Sequence, residues 1–196
     1  MSNNHDPNRI QALVKAARVL GLHKRDDLPD QIRKILAEAD QQGRMLEKTE
    51  IELLCTRSKV DPDALTVLQS KANALVNQTK QLLITKQPEL LAPGGALFPA
   101  SRADACWRDC YHFLRVSCYA VAVGEPKLTD PKGIQGLQAL YEALAVPIPA
   151  LLFALAELRN LATETYRSIA FPTDVELLDA AIRELESKIK HFRIKS

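Results

Sequence analysis

The chain has 196 residues, 46% hydrophobic and 26% charged, and its 26 basic and 24 acidic side chains leave a formal charge of +2. Such a length and composition suit one globular domain with a sizeable core. The 7 glycines, 5% aromatic residues and absence of long alternating Val/Ile/Thr runs argue against a sheet-rich fold. A near-neutral charge without a dense Lys/Arg tract speaks against nucleic acid as a partner, and no apolar run approaches the ~20 residues of a membrane span. The opening MSNNHDPNRI has neither an apolar signal core nor an Arg- and Ser-rich transit pattern. A reducing, cytosol-like setting is therefore expected, in which Cys55, Cys106, Cys110 and Cys118 form no disulfides.

In chain order, Ile10, Leu13, Val14, Ala17 and Leu20 recur at helical spacing and predict a helix from Asn8 to Leu20, ended by Gly21. Ile32, Ile35, Leu36 and Ala39 predict a second from Leu28 to Gln42, with Gly43 as terminator. A third spans about Glu47 to Arg57. Asp61-Pro62 opens a long helical region that reaches Leu91 and bends near Pro88. Pro93-Gly94-Gly95 breaks the chain, and Ala100 to Val123 is a long central helix. Further helices follow over Ile134–Ala145 and Ala150–Tyr166. Thr173 with Glu176 has capping-box spacing and opens a last helix to Phe192 with a Val175, Leu178, Ile182, Leu185, Ile189 stripe. No internal repeat is present. The expectation is an all-α fold of seven or eight unequal helices with proline-marked corners, closer to globin-like packing than to a four-helix bundle.

The segment from Ala92 to Gly124 carries the chemistry. It opens APGG, passes through ADACWRDC and closes on LRVSCYAVAVG, so Cys106, Arg108 and Asp109 share about one helical turn just after a glycine-bearing loop. Each residue alone has a plain reading: Cys106 as a buried inert thiol, Asp109 as an ion-pair partner of Arg108 or Arg102, and Cys110 as core. Cys118 is three turns from Cys106, too far for joint metal ligation. His5, His23, His112 and His191 are scattered, and no metal site is expected.

Several motifs in register resemble the phycobiliprotein family of phycocyanin and allophycocyanin subunits. They are ILAEADQQGRMLEKTEIELL, QPELLAPGG, ADACWRD, LRVSCYAVAVG and GLQALYEALAVP, in family order between Leu28 and Tyr166. The resemblance implies a globin-like domain at 61–196 preceded by two subunit-pairing helices at 28–60, with residues 1–27 as an additional helical arm. It implies no enzyme but a phycobilisome-associated light-harvesting protein carrying one open-chain tetrapyrrole (a phycocyanobilin-like bilin) by a thioether at Cys106. Asp109 matches the carboxylate that accepts from inner pyrrole N–H groups, Arg108 and Arg102 the cations near the propionates, and Tyr141 an aromatic beside the pigment. Asp40, Arg115 and Tyr119 match a polar cluster used between paired subunits. Implied partners are other phycobiliprotein subunits or phycobilisome linkers, in a hetero- or homo-oligomer. The implied location is peripheral, on the cytoplasmic side of the thylakoid of a cyanobacterium rather than in a plastid.

The chemistry agrees with that resemblance. A thiolate is the nucleophile that adds to an exocyclic alkene, and a neighbouring Arg favours it. A carboxylate three residues on can accept two pyrrole N–H groups, and a guanidinium can pair bidentately with a propionate. The sequence also departs from the family. Trp107 stands where a smaller residue is common and could stack on the pigment, cover a partner or obstruct the pocket. Ala96 replaces the asparagine that is methylated in β-type subunits. Glu125 replaces an aspartate, and Pro126 and Pro131 stiffen the loop that follows. The last loop has no second attachment cysteine. Two further readings are an unpigmented phycobiliprotein-like adaptor in phycobilisome assembly or turnover, and a bilin-transferring enzyme using Cys106 or Cys110.

Overall fold

The structure, a computed structural model, describes residues 6–192; His5 and the first residues of the expected arm lie outside them. Nine α-helices are described: α1 (Pro7–Ala16), α2 (Asp30–Gln42), α3 (Lys48–Ser58), α4 (Pro62–Ser70), α5 (Ala72–Lys86), α6 (Ala100–Val123), α7 (Pro131–Ala143), α8 (Ile148–Arg167) and α9 (Pro172–Lys190). Short 3-10 turns occupy Leu22–Lys24 and Pro88–Leu91. Among the described residues the one β-type pairing is an isolated bridge between Leu20 and Thr129. The all-α expectation holds.

Helix α6 is the central element. From Phe113 to Val123 every residue is buried, the pattern of a helix covered on all sides. It packs against α3, α4, α5, α8 and α9, and α8 and α9 form the broadest helix pair. Leu178, Ile182, Leu185 and Ile189 bury the expected stripe of α9.

Helix ends follow local backbone chemistry. Gly43 ends α2 in the left-handed region at φ 66°, and Arg44 N–H then reaches back to the Ala39 carbonyl at 3.1 Å. Four expectations change. The first helix stops at Ala16, short of Leu20, because residues 17–24 leave it to pair with 128–130. The region from Pro62 is interrupted at Lys71, where the Ser70 hydroxyl donates to the Val67 carbonyl at 2.7 Å and competes with the helical ladder. Helix α7 starts at Pro131 and ends at Ala143 in a Schellman turn whose left-handed residue is Ala145 (φ 50°) instead of a glycine. There Val146 N–H bonds to Tyr141 O (2.9 Å) and Ala145 N–H to Glu142 O (3.2 Å). The Thr173/Glu176 capping box does not form. Phe171 is the N-cap residue and Pro172 presets the first turn, while the Thr173 hydroxyl donates to Asp174 Oδ1 (3.2 Å). A capping box does exist at α3, between Glu47 and Glu50.

Candidate functional site

The four cysteines differ in what surrounds them. Cys55, Cys110 and Cys118 are buried in the core, and burial pushes the Cys55 thiol up to about 11 and Cys118 to about 12. A hydrogen bond with Cys106, together with burial, raises Cys110 well above the thiol range. Cys106 is the most exposed of the four, at 8%, and lines a cavity. That cavity, about 280 Å³, is walled by α6, the end of α7 and the start of α8.

A larger cavity of about 590 Å³ adjoins it, running past Asp109 to Asp40, His112 and Arg115. The two share Val14, Arg108, Asp109, Leu140 and Tyr141 as a common wall. Asp109 stands at the junction. Its Oδ2 accepts a hydrogen bond from the Tyr141 hydroxyl at 2.9 Å. Burial lifts its carboxyl from an ordinary 3.8 to about 6, against the opposing pull of Tyr141 and the charge of Arg108. Tyr141 is itself buried, with its ring edge against Phe192. An anionic oxygen held in a half-dry cleft with little compensation is suited to receive N–H donors from a ligand.

The two arginines of the site differ in how they are held. Arg102 borders the Cys106 cavity, but its Nε donates to Ala96 O (3.0 Å) and its Nη2 to Ala145 O (2.9 Å). It thereby ties the glycine loop to the strained end of α7. Arg108 is exposed and borders both cavities. Trp107 lines neither. It is buried on another face of α6, with Lys80 Nζ 5.8 Å from the ring centroid, and no acceptor reaches its Nε1. On a helix one residue's step turns the side chain by about 100°, so neighbours of Cys106 in sequence face other helices.

Asp40, Arg115 and Tyr119 meet within one chain. Arg115 is 5% exposed; its Nη2 donates to Asp40 Oδ1 and its Nη1 to the Tyr119 hydroxyl, both at 2.8 Å. Tyr119 donates onward to the Arg44 carbonyl. The cluster fastens α2 and the turn after it to α6. Arg18 approaches the other oxygen of Asp40 at 3.6 Å. Sequence reasoning missed Val14, Arg18 and His112 as cavity-lining residues, since 98 positions separate Val14 from His112 and no spacing rule connects them.

The domain is all-α and holds a two-lobed cavity, with a thiol in one lobe and a carboxylate at the waist. Comparison with known proteins gives the domain its family. The family model for the phycobilisome protein matches residues 34–185. The C-phycocyanin beta chain of Aglaothamnion neglectum is 31% identical over 134 residues, covering 67% of this chain and 78% of the relative. The C-phycocyanin beta chain of Galdieria sulphuraria is 32% identical over 121 residues, covering 60% and 70%. The phycobiliprotein beta chain of Mastigocladus laminosus is 29% identical over 165 residues, covering 81% and 98%. The chain therefore belongs to the phycobilisome protein family, as a divergent phycobiliprotein with the globin-like fold of that family. Membership brings a light-harvesting role in the phycobilisome and association with other phycobiliprotein subunits. No helix among the described residues is long and apolar enough to cross a membrane.

Proposed function

We propose that this protein carries one open-chain tetrapyrrole, joined by a thioether to Cys106, and passes excitation energy within a phycobilisome on the cytoplasmic side of a cyanobacterial thylakoid. The observation that carries the reading is that Cys106 lines a cavity, with Asp109 one turn further along the same wall. The donor set fits such a group: an acceptor at the waist for pyrrole N–H, and Arg102 and Arg108 for propionates. When bound, the pigment supplies absorption and energy transfer.

The chain's own work is attachment, orientation and exclusion of water. Cys106 would hold the pigment through its Sγ, its S–H adding across an exocyclic alkene so that nothing would leave and no oxidant would be needed. Cys110 does not compete, because its thiol is held protonated in the core. Asp109 accepts from the pyrrole N–H groups and favours a protonated, cationic pigment. Tyr141 keeps Asp109 in place through the 2.9 Å bond. The apolar wall of Leu140, Leu144, Val146 and Leu151 excludes water and restrains twisting.

Subunit pairing through residues 28–60 belongs to the same reading, with Asp40, Arg115 and Tyr119 shaping the pairing face as one hydrogen-bonded unit. Coexpression with phycocyanobilin and an attachment enzyme, followed by denaturing electrophoresis, tests the proposal. A coloured band that disappears in Cys106→Ala supports it; a colourless parent chain rules it out in favour of the unpigmented adaptor.

A further inference from the structure

The amino-terminal segment precedes the part of the chain that matches the family, which begins at residue 34, and it folds back onto the candidate site. Helix α1 lies on α7, and no residue of α1 is fully buried; Ile10 and Leu13 are partly buried against the core. The chain after it is held far more firmly. Leu20 and Leu22 are wholly buried, Gly21 N–H bonds to Leu128 O and Asp130 N–H to Val19 O, each at 2.7 Å, and Lys24 pairs with Asp130 at 2.8 Å. A ten-residue helix with only half-buried contacts thus hangs from a fixed anchor at residues 19–24. A helix so short has little stability of its own in water.

Its seat is made by two glycines of α7. A Cβ added at Gly136 would collide with the Ala16 carbonyl, and one at Gly133 with the Arg18 carbonyl, so the absent side chains let the end of α1 rest on the α7 backbone. Seated there, α1 places Val14 in the lining of both lobes. Of the five residues common to the two cavities, Val14 is the one that comes from the arm; the others belong to α6 and α7. Val14 is also 55% exposed, so it sits at the rim and is not locked in the core. Arg18 adds a cation to the lining of the larger lobe.

We propose that the amino-terminal arm is a gate belonging to the pigment site: Val14 partitions the two-lobed cavity, and α1 swings away from Gly136 to admit an open-chain tetrapyrrole along its length. This rests on the pigment reading above, which supplies a ligand long enough to span both lobes. The gate also limits access to Cys106, which lines the smaller lobe together with Val14.

The test uses the full chain without pigment. Modification of Cys106 by N-ethylmaleimide is followed by peptide mass spectrometry for the parent, Gly136→Ala and Val14→Ala. Alanine favours the α7 helix while unseating α1, and Val14→Ala trims the partition with the arm still in place. Both variants should label Cys106 about five-fold or more faster, and Gly136→Ala should show faster amide exchange over residues 7–16. Uptake of phycocyanobilin, read from its absorbance shift, should accelerate in the same order. Equal labelling in all three proteins, with pigment taken up equally fast, overturns the gate and leaves the pigment site standing. Faster labelling with no uptake by any of them overturns the tetrapyrrole assignment and leaves a gated cavity for another ligand.

Discussion

Asp109 offers the sharpest energetic test of the site. In the pigment-free chain its carboxyl titrates at about 6 in place of 3.8 because burial penalises the anion more than Tyr141 and Arg108 stabilise it. Between about pH 4 and 6 the folded chain keeps a proton that the unfolded chain has released, so stability falls as pH rises through that window and levels off above it. The full shift corresponds to about 3 kcal/mol, and solvent contact at this partly exposed carboxyl reduces it to about 1–2 kcal/mol. Asp109→Asn removes the penalty and keeps an oxygen that accepts from Tyr141. At about pH 7.5 it should raise Tm by about 3–6 °C; near pH 4 the difference should shrink toward zero as the parent's carboxyl becomes neutral. Calorimetry of the pigment-free proteins at both values provides the check. If the Asp109→Asn variant is less stable than the parent at the higher pH, by the same margin as at the lower, the claim that Asp109 is held at an energetic cost is refuted. The same substitution should weaken pigment binding, since a neutral amide balances a cationic tetrapyrrole poorly.

Other substitutions separate site from scaffold. Trp107→Phe should leave the bound pigment's absorption maximum unchanged, because the indole lines neither cavity; a shifted band would place it against the pigment after all. Asp40→Ala strands the buried Arg115 guanidinium and should cost about 3 kcal/mol in chemical denaturation, with little effect on Cys106 labelling. Cys110→Ala should retain covalent pigment, whereas its loss, with the fold intact by circular dichroism, would mean that Cys110 takes part in attachment. Arg102→Gln should loosen the 93–99 loop, seen as faster amide exchange there, because it removes the bonds to Ala96 and Ala145.

Much of the architecture was readable from apolar periodicity and chain-breaking residues. The Val175–Ile189 stripe, the Gly43 terminator and the limits of α6 all follow from interactions within a few residues, which a sequence displays directly. The errors fell where distant or competing contacts decide. The end of α1 depends on residues 19–21 pairing with 128–130, and the break at Lys71 on a serine hydroxyl. The end of α7 depends on an alanine accepting a conformation usually left to glycine. The Thr173 box failed because Pro172, just before the expected cap, already occupies the first helical turn.

For the site, the sequence by itself placed Cys106 and Asp109 about one turn apart on one helix and, through motifs in register, pointed to the family that the comparisons show. Residues one turn apart on a helix must share a face, so local geometry was enough for that much. Only the tertiary structure decided that Cys106 lines a cavity while Cys110 is buried in the core, that Trp107 turns toward α5, and that Asp40, Arg115 and Tyr119 satisfy one another within the chain. It alone brought Val14 and Arg18 into the lining of a pocket built from residues about a hundred positions away. Burial and the pairing of remote segments depend on which surfaces meet, and those contacts arise only when the whole chain has packed.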